Sequence, residues 1–294
     1  MKLNLQDIPR VRGISKEEFQ EKYFIPQKPV VFEDLSADWP ATQKWNFDYF
    51  RKKVGDVVVP LYNGEPAKAG EKSHAPSAEM KFGKYVDILQ KGPTDLRMFF
   101  FNLLQNSPDL VDDFRYPENL GVKFFKRLPV LFVGGQGAKV VMHYDMDLAN
   151  NFHFNFVGEK RILLFPPEET KYLYKVPYSI VSMEIIDMDN PDFNKYPALK
   201  KAKGFEVKLK HGEALYIPSK WWHFIKYETA SLSLTLRSLP KSPGKILEVL
   251  NNLIIMRNYD AVMRKWKGQK WIDYKNEQAI KNTHNSAKLN KDEQ

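Results

Sequence analysis

Residues 151–157, Asn-Phe-His-Phe-Asn-Phe-Val, alternate strictly between polar and aromatic side chains. Neighbouring side chains of a strand point to opposite faces, so Asn151, His153 and Asn155 share one face and Phe152, Phe154 and Phe156 the other. Three phenylalanines on one face need a hydrophobic layer against them, either helices or a second sheet. The other face is not a solvent face, which would carry Lys, Thr and Glu. Amides and an imidazole, just after His143-Tyr144-Asp145, suit an interior that holds something polar.

The same period runs through the second half of the chain. From about Leu128, eight alternating or apolar segments are separated by turns: LPVLFV, AKVVMHYD, NFHFNFVG, KRILLFP, FEVKL, EALYIP, WHFIKYE and SLSLTLRS. Eight short strands predict a barrel or sandwich. Ahead of them, Ser15-Lys-Glu-Glu18 is a capping box that starts a short helix. KPVVFEDL predicts a buried strand, NFDYFRKKVG a helix ending at Gly55, VVVPLY a strand edged by Pro60, and MKFGKYVDILQKG a helix over 80–92. Residues 63–76 form a polar loop. The long insert between Tyr172 and Gly204, of a kind that often serves as a functional lid, could cover a substrate groove. After Pro243 the period is helical. KILEVLNNLIIMRNYDAVMRKW carries apolar residues on more than one face, so it either packs deeply or makes a dimer interface. The polar, lysine-rich tail after Tyr274 is expected to fray.

Composition narrows the chemistry. A chain of 294 residues can bury a substantial core. There is no cysteine, which excludes disulfides, thiolate metal sites and cysteine nucleophiles. The N-terminal residues lack the apolar core of a signal peptide, and no stretch is apolar for the length of a bilayer, so the expected location is cytoplasmic, with no membrane partner. The formal net charge of +9 makes nucleic acid or acidic partners conceivable. The positive residues are dispersed, however, and scattered lysine also simply keeps a protein in solution.

His143 and Asp145 stand two apart, on one face of a strand, and His223 lies on a later strand. Two imidazoles and one carboxylate form a facial triad that suits Fe(II) and leaves coordination positions open. Zinc or manganese could occupy the same ligands. A lone His-x-Asp is more often a hydrogen-bonded pair at a strand end, so the triad gains weight from what surrounds it.

Four segments supply that context: His143-Tyr144-Asp145; Asn151-Phe152 through Gly158-Glu159-Lys160-Arg161-Ile162-Leu163-Leu164-Phe165-Pro166-Pro167; Asp189-Asn190-Pro191-Asp192-Phe193; and Gly212-Glu213-Ala214-Leu215-Tyr216-Ile217-Pro218 running into Trp221-Trp222-His223. In order and spacing they resemble the JmjC/cupin-like 2-oxoglutarate oxygenases over roughly residues 128–238, especially the branch of the asparaginyl hydroxylase that inhibits hypoxia-inducible factor. IPRVRGISKEEF and KPVVFEDLSADWP resemble the N-terminal segments of the same family.

The resemblance implies a mainly β fold with flanking helices, built on a double-stranded β-helix (jelly-roll). An oxygenase domain would span 1–240, with a leading segment 1–127 and a core 128–240. A helical segment, 241–294, would follow. The resemblance also implies Fe(II) on His143, Asp145 and His223, 2-oxoglutarate as cosubstrate, and molecular oxygen. By position, Lys160 takes the far carboxylate of 2-oxoglutarate, although from the residues alone a lysine after Gly158 could equally point to solvent. Asn151 falls where the family hydrogen-bonds the cosubstrate. His153 is a cavity-wall residue that could help bind 2-oxoglutarate or substrate. Thr235 is the best match for a late polar contact, with Ser233 the alternative. Trp222 either backs the ligands or is a plain core aromatic.

The chain departs from the asparaginyl hydroxylase at Val140, where that enzyme has a hydroxyl, and at Phe99-Phe100-Phe101, near its tyrosine contact. Two extra residues also lie between Asp145 and Asn151. Three readings follow. The first is a hydroxylase of a protein or peptide side chain, working as a homodimer through the C-terminal helices. The second is a tRNA-base hydroxylase of similar chemistry, since a wybutosine-tRNA hydroxylase carries similar segments. The third is a metal-binding cupin or binding module that does not use oxygen.

Overall fold

A computed structural model describes residues 2–65, 75–99 and 102–289. All eight expected strands form: β1 (Val130–Gly134), β2 (Lys139–His143), β3 (Asn150–Val157), β4 (Lys160–Phe165), β5 (Lys203–Leu209), β6 (Ala214–Ile217), β7 (Trp222–Tyr227) and β8 (Ser231–Ser238). They divide into two antiparallel sets, β5-β4-β7-β2 and β6-β3-β8-β1, the alternation of a jelly-roll. Leading segments extend both sheets. Asn4–Asp7 adds to β5, Val30–Phe32 and then Arg10–Val11 add to β6, and Arg97–Met98 pairs with β1.

Three apolar layers follow from period-2 alternation in the strands. The outer face of the β3–β8 sheet buries Phe152, Phe154 and Phe156 under the leading helices. There Trp39 packs at a tilt on Phe154 at 4.5 Å between ring centres and Trp45 meets Phe156 edge-on at 4.9 Å. Between the sheets lie Ile162, Leu164, Leu215, Ile217 and Ile225. The outer face of the β4–β7 sheet, with Leu163, Phe165, Trp222 and Phe224, is covered by the insert and the last helix. Trp222 therefore belongs to this outer core, edge-on to Tyr144 at 4.9 Å, rather than to the cavity wall.

The tight turn from β3 to β4, which carries the chain from one sheet to the other, sets the facing of the site. Gly158 has φ +71°, and a Cβ there would lie 2.2 Å from the Ala230 carbonyl oxygen, so the turn needs glycine. Asn155 Nδ2 donates to the Gly158 carbonyl at 2.7 Å. Lys160 consequently shares a face with Ile162 and Leu164 and points inward.

Elsewhere the leading segment matches expectation with one adjustment. Ser15 caps its helix by accepting from Glu18 N at 3.1 Å, and Asn46 caps Phe47–Val54. The helix expected over 80–92 is shorter, Phe82–Lys91, because Ala78–Lys81 pairs with Val58–Leu61 as a strand. Most of the 63–76 loop, and Phe100 and Phe101, lie outside the described residues. Phe99 packs on Tyr62 at 4.2 Å.

The insert is stitched to the edge of β2 at the site itself. Tyr144 N donates to Ile180 O at 3.1 Å and Ser182 N to Met142 O at 2.9 Å. The C-terminal segment corrects the expectation of fraying. After Pro243–Leu250, a wider turn at Asn251–Met256 and Arg257–Lys267, a 21-residue helix runs over Gln269–Leu289. Ala279, Lys275 and Thr283 are buried in it, and Lys201 Nζ donates to Ala287 O at 3.0 Å. Tertiary burial of a few positions orders a sequence whose overall polarity suggests a loose tail. Among the described residues, no helix is long and apolar enough to cross a membrane.

Candidate metal centre

β2 and β7 are neighbours, and their register sets His143 directly opposite His223. A register shift just after His223 breaks the ladder there, as bulges beside active sites do. Asp145 follows two residues beyond His143. One ligand atom from each of the three lies within 4.8 Å of the others. The two rings are 4.1 Å apart at their centres, and His143 Nε2 is 3.8 Å from Asp145 Oδ1.

The imidazoles are oriented for ligation. His143 Nδ1 is 2.8 Å from Val141 O and His223 Nδ1 is 3.1 Å from Trp221 O. A carbonyl only accepts, so each Nδ1 donates a proton there, which turns each Nε2 toward the shared space. Burial, and then His223, pull the His143 ring down to about 3, which keeps it neutral. Burial would raise the Asp145 carboxyl, but Arg237, the two imidazoles and Asn151 bring it down to about 2. Two imidazole nitrogens beside a carboxylate are a donor set for a divalent cation.

A polar wall leads away from this group. On β3 and β8, Asn151 pairs with Arg237, His153 with Thr235 and Asn155 with Ser233, all facing inward. Asn151 Nδ2 donates to Asp145 Oδ2 at 2.5 Å, while its Oδ1 is buried without a hydrogen-bond partner. His153 Nδ1 lies 2.8 Å from Thr235 Oγ1, and its Nε2 is 3.2 Å from Lys160 Nζ. Lys160 also donates to Ser233 Oγ and sits over the Tyr227 ring at 4.7 Å.

Lys160 is fully buried, and among the described residues it has no acidic partner. Burial alone pulls its ammonium down to about 7, and burial then Lys160 hold His153 well below the ordinary histidine value. A buried cation without a counter-charge is costly unless a ligand supplies one. Asn151 and His153 stand one strand dipeptide apart, roughly 7 Å, so metal ligands and lysine fit the two ends of a short dicarboxylate.

Thus His143, Asp145 and His223 come together, with Asn151 at their edge. Lys160 and His153 meet farther along, where both Ser233 and Thr235 take part: Ser233 touches the lysine and Thr235 the histidine. Val140 lies beside the apolar interior rather than in the polar wall. The sequence reading missed Arg237, whose side chain is 7% exposed and whose Nη1 donates to Asp147 Oδ2 at 2.7 Å. The signal was available in SLSLTLRS, where Arg237 falls on the same face as Ser233 and Thr235.

The description "Cupin-like domain" belongs to the family model that matches residues 16–283. Lysine-specific demethylase 8 of Xenopus tropicalis is 31% identical over 233 residues, which are 78% of this chain and 52% of that protein. The tRNA wybutosine-synthesizing protein 5 of Mus musculus is 29% identical over 254 residues, 78% of this chain and 76% of that protein. JmjC domain-containing protein D of Dictyostelium discoideum is 30% identical over 247 residues, 76% of this chain and 54% of that protein. The chain thus spans about half the length of the demethylase and three quarters of the wybutosine protein.

Proposed function

The chain belongs to the cupin-like, JmjC-type family of 2-oxoglutarate oxygenases, and on that premise we propose that it is an Fe(II)- and 2-oxoglutarate-dependent hydroxylase of a protein or peptide side chain. The observation that carries this reading is Lys160, a buried ammonium without a carboxylate, held at the far end of a polar wall that begins at two histidines and an aspartate.

His143, Asp145 and His223 would hold the iron. Lys160 would pair with the far carboxylate of 2-oxoglutarate, a charge-assisted contact in a dry setting, with Ser233 and His153 fixing the ammonium from two sides. Asn151 Oδ1 remains available to a donor from substrate or bound water. Ile162, Leu164, Leu215, Ile217 and Ile225 exclude water from the same interior. When bound by these residues, Fe(II) and 2-oxoglutarate would supply the oxidation: with dioxygen, one oxygen atom would go to succinate as carbon dioxide is lost and the other into a substrate C–H bond.

The reaction class is tested by succinate formation from 2-oxoglutarate with Fe(II) and a reductant, abolished in His143→Ala. Absence of turnover with every reductant and substrate tried, despite iron loading, counts against it. A protein substrate is favoured by the demethylase relative's name. The wybutosine relative, aligned over most of its length, together with the net charge of +9, supports tRNA as the second reading. Salt-dependent tRNA retention would support that choice. Failure to bind 2-oxoglutarate by calorimetry would instead favour a non-oxygenase cupin.

A second copy of the chain is the partner proposed for the C-terminal helices. Leu247, Ile255, Val262 and Trp266 there are between 63% and 75% exposed. Sedimentation at dimer mass, reduced to monomer mass in Trp266→Glu, is expected; a monomer in the unmodified chain refutes it.

A further inference from the structure

The two oxygens of Asp145 have different surroundings. Oδ1 faces His143 Nε2 at 3.8 Å. Oδ2 accepts from Asn151 Nδ2 at 2.5 Å and lies 3.8 Å from Arg237 Nη2. The guanidinium is not placed there by Asp145 alone. Its Nη1 donates to Asp147 at 2.7 Å, and the Asp147 side chain in turn accepts from Ala149 N at 3.3 Å. Leu148, between them, adopts a left-handed φ of +49°, and its N–H donates to Asp145 O at 3.1 Å. A left-handed conformation is unfavourable for leucine and persists where the surroundings over-determine it. The 145–149 turn is thus held from inside by its own hydrogen bonds and from β8 by Arg237.

A facial triad needs its carboxylate to bind through one oxygen, because a second bound oxygen would take a position required by cosubstrate or oxygen. Each of the three ligands here has one polar atom tied back. In the histidines it is Nδ1, bonded to a carbonyl two residues earlier. In Asp145 it is Oδ2. An amide alone could hold Oδ2, but Asn151 can rotate with its own side chain, whereas a guanidinium fastened at its other nitrogen cannot.

We propose that Arg237, anchored on Asp147, is a positioning residue that ties back the Oδ2 edge of Asp145 and so confines the carboxylate to one-oxygen ligation through Oδ1. This rests on the metal reading given above. It also gives a role to the two extra residues between Asp145 and Asn151, since the longer turn carries the aspartate that anchors the arginine.

The test uses Mn(II) as the probe in the full chain, with no turnover required. Coordinated waters are counted from the broadening of the Mn(II) electron paramagnetic resonance lines in oxygen-17 water. Wild type is expected to show the full complement left by three ligand atoms. Arg237→Gln is expected to show one fewer, and its Mn(II)-loaded form to bind 2-oxoglutarate about tenfold more weakly, the scale of outer-shell substitutions at metal sites. Asp147→Asn keeps the arginine but weakens its anchor, and is expected to lose the same water while still folding, as a melting curve checks. That variant carries the test if Arg237→Gln does not fold. An unchanged water count in the folded variants overturns the role of Arg237 and leaves the metal site standing. Failure of wild type to bind Mn(II) in a manner dependent on His143 overturns both.

Discussion

The two faces of strands β3 and β8 are built from alternate residues of two eight-residue segments and do opposite things. Outward, Phe152, Phe154, Phe156, Leu232, Leu234 and Leu236 are all at most 1% exposed and packed among aromatic rings. Inward, at the same depth, are Asn151, His153, Asn155, Ser233, Thr235 and Arg237, with Lys160 among them. The outer face gains free energy from every side chain it covers. Among the described residues, the inner face buries amide oxygens on Asn151 and Asn155 without partners, and a lysine, Lys160, with no acidic partner. One side of the sheet stabilises the fold, and the other offsets part of that stability; on the function proposed above, that cost keeps a polar interior ready for a charged ligand.

Substitutions on the two faces should therefore separate function from stability. The largest effect is expected for His143→Ala, which removes metal binding and succinate formation altogether while changing the free energy of unfolding by no more than about 1 kcal/mol. Parallel metal titration and urea denaturation check this, and a large loss of stability without metal would show that the inner face also builds the fold. Phe154→Ala on the outer face should do the reverse, costing about 3–5 kcal/mol in urea denaturation, with the metal affinity of the remaining folded protein intact.

Lys160→Met sharpens the contrast most. Burial brings the ammonium from an ordinary 10.5 to about 7. Between those two pH values the unfolded chain holds a proton that the folded chain has given up, so the stability of the wild type rises with pH across that window. Below it, the folded state bears the full cost of a buried charge. Lys160→Met is accordingly expected to raise the melting temperature of the ligand-free protein at pH 6–7, with the gain shrinking as pH climbs toward 10.5, while 2-oxoglutarate binding is lost. A melting temperature that falls would mean that the lysine stabilises the interior without ligand. The smallest effect is expected for Ser233→Ala, about 1.5 kcal/mol in 2-oxoglutarate affinity by calorimetry, the low end for one hydrogen bond to a charged group that keeps its other contacts.

Much of the site was legible because it lies on strands with a strict period. Alternation alone put Asn151, His153 and Asn155 on one face, and the tight turn at Gly158, between the two sheets, leaves Lys160 facing the same interior. The choice between Ser233 and Thr235 was not legible, since both lie on the inner face. It took the pairing of β8 with β3 and the reach of a lysine from β4 to give Ser233 to Lys160 and Thr235 to His153. The position of Trp222 was ambiguous for a different reason: it follows a turn, and only the observed register sends it outward to Tyr144 and Thr170, whose Oγ1 accepts from its indole at 2.8 Å.

What the chain determined locally is the set of eight strands, the faces of their side chains and the residue types that can hold a cation, because a two-residue period is a property of neighbouring residues. What only the tertiary structure decided are contacts between distant segments. Arg237 and Asp147 are 90 positions apart and meet only in the register of β8 beside the 145–149 turn. The helix Gln269–Leu289 is polar on average, and only the surface formed by the insert selects Ala279 and Thr283 for burial. Such pairings depend on which surfaces the fold brings together, and no period along the chain encodes them.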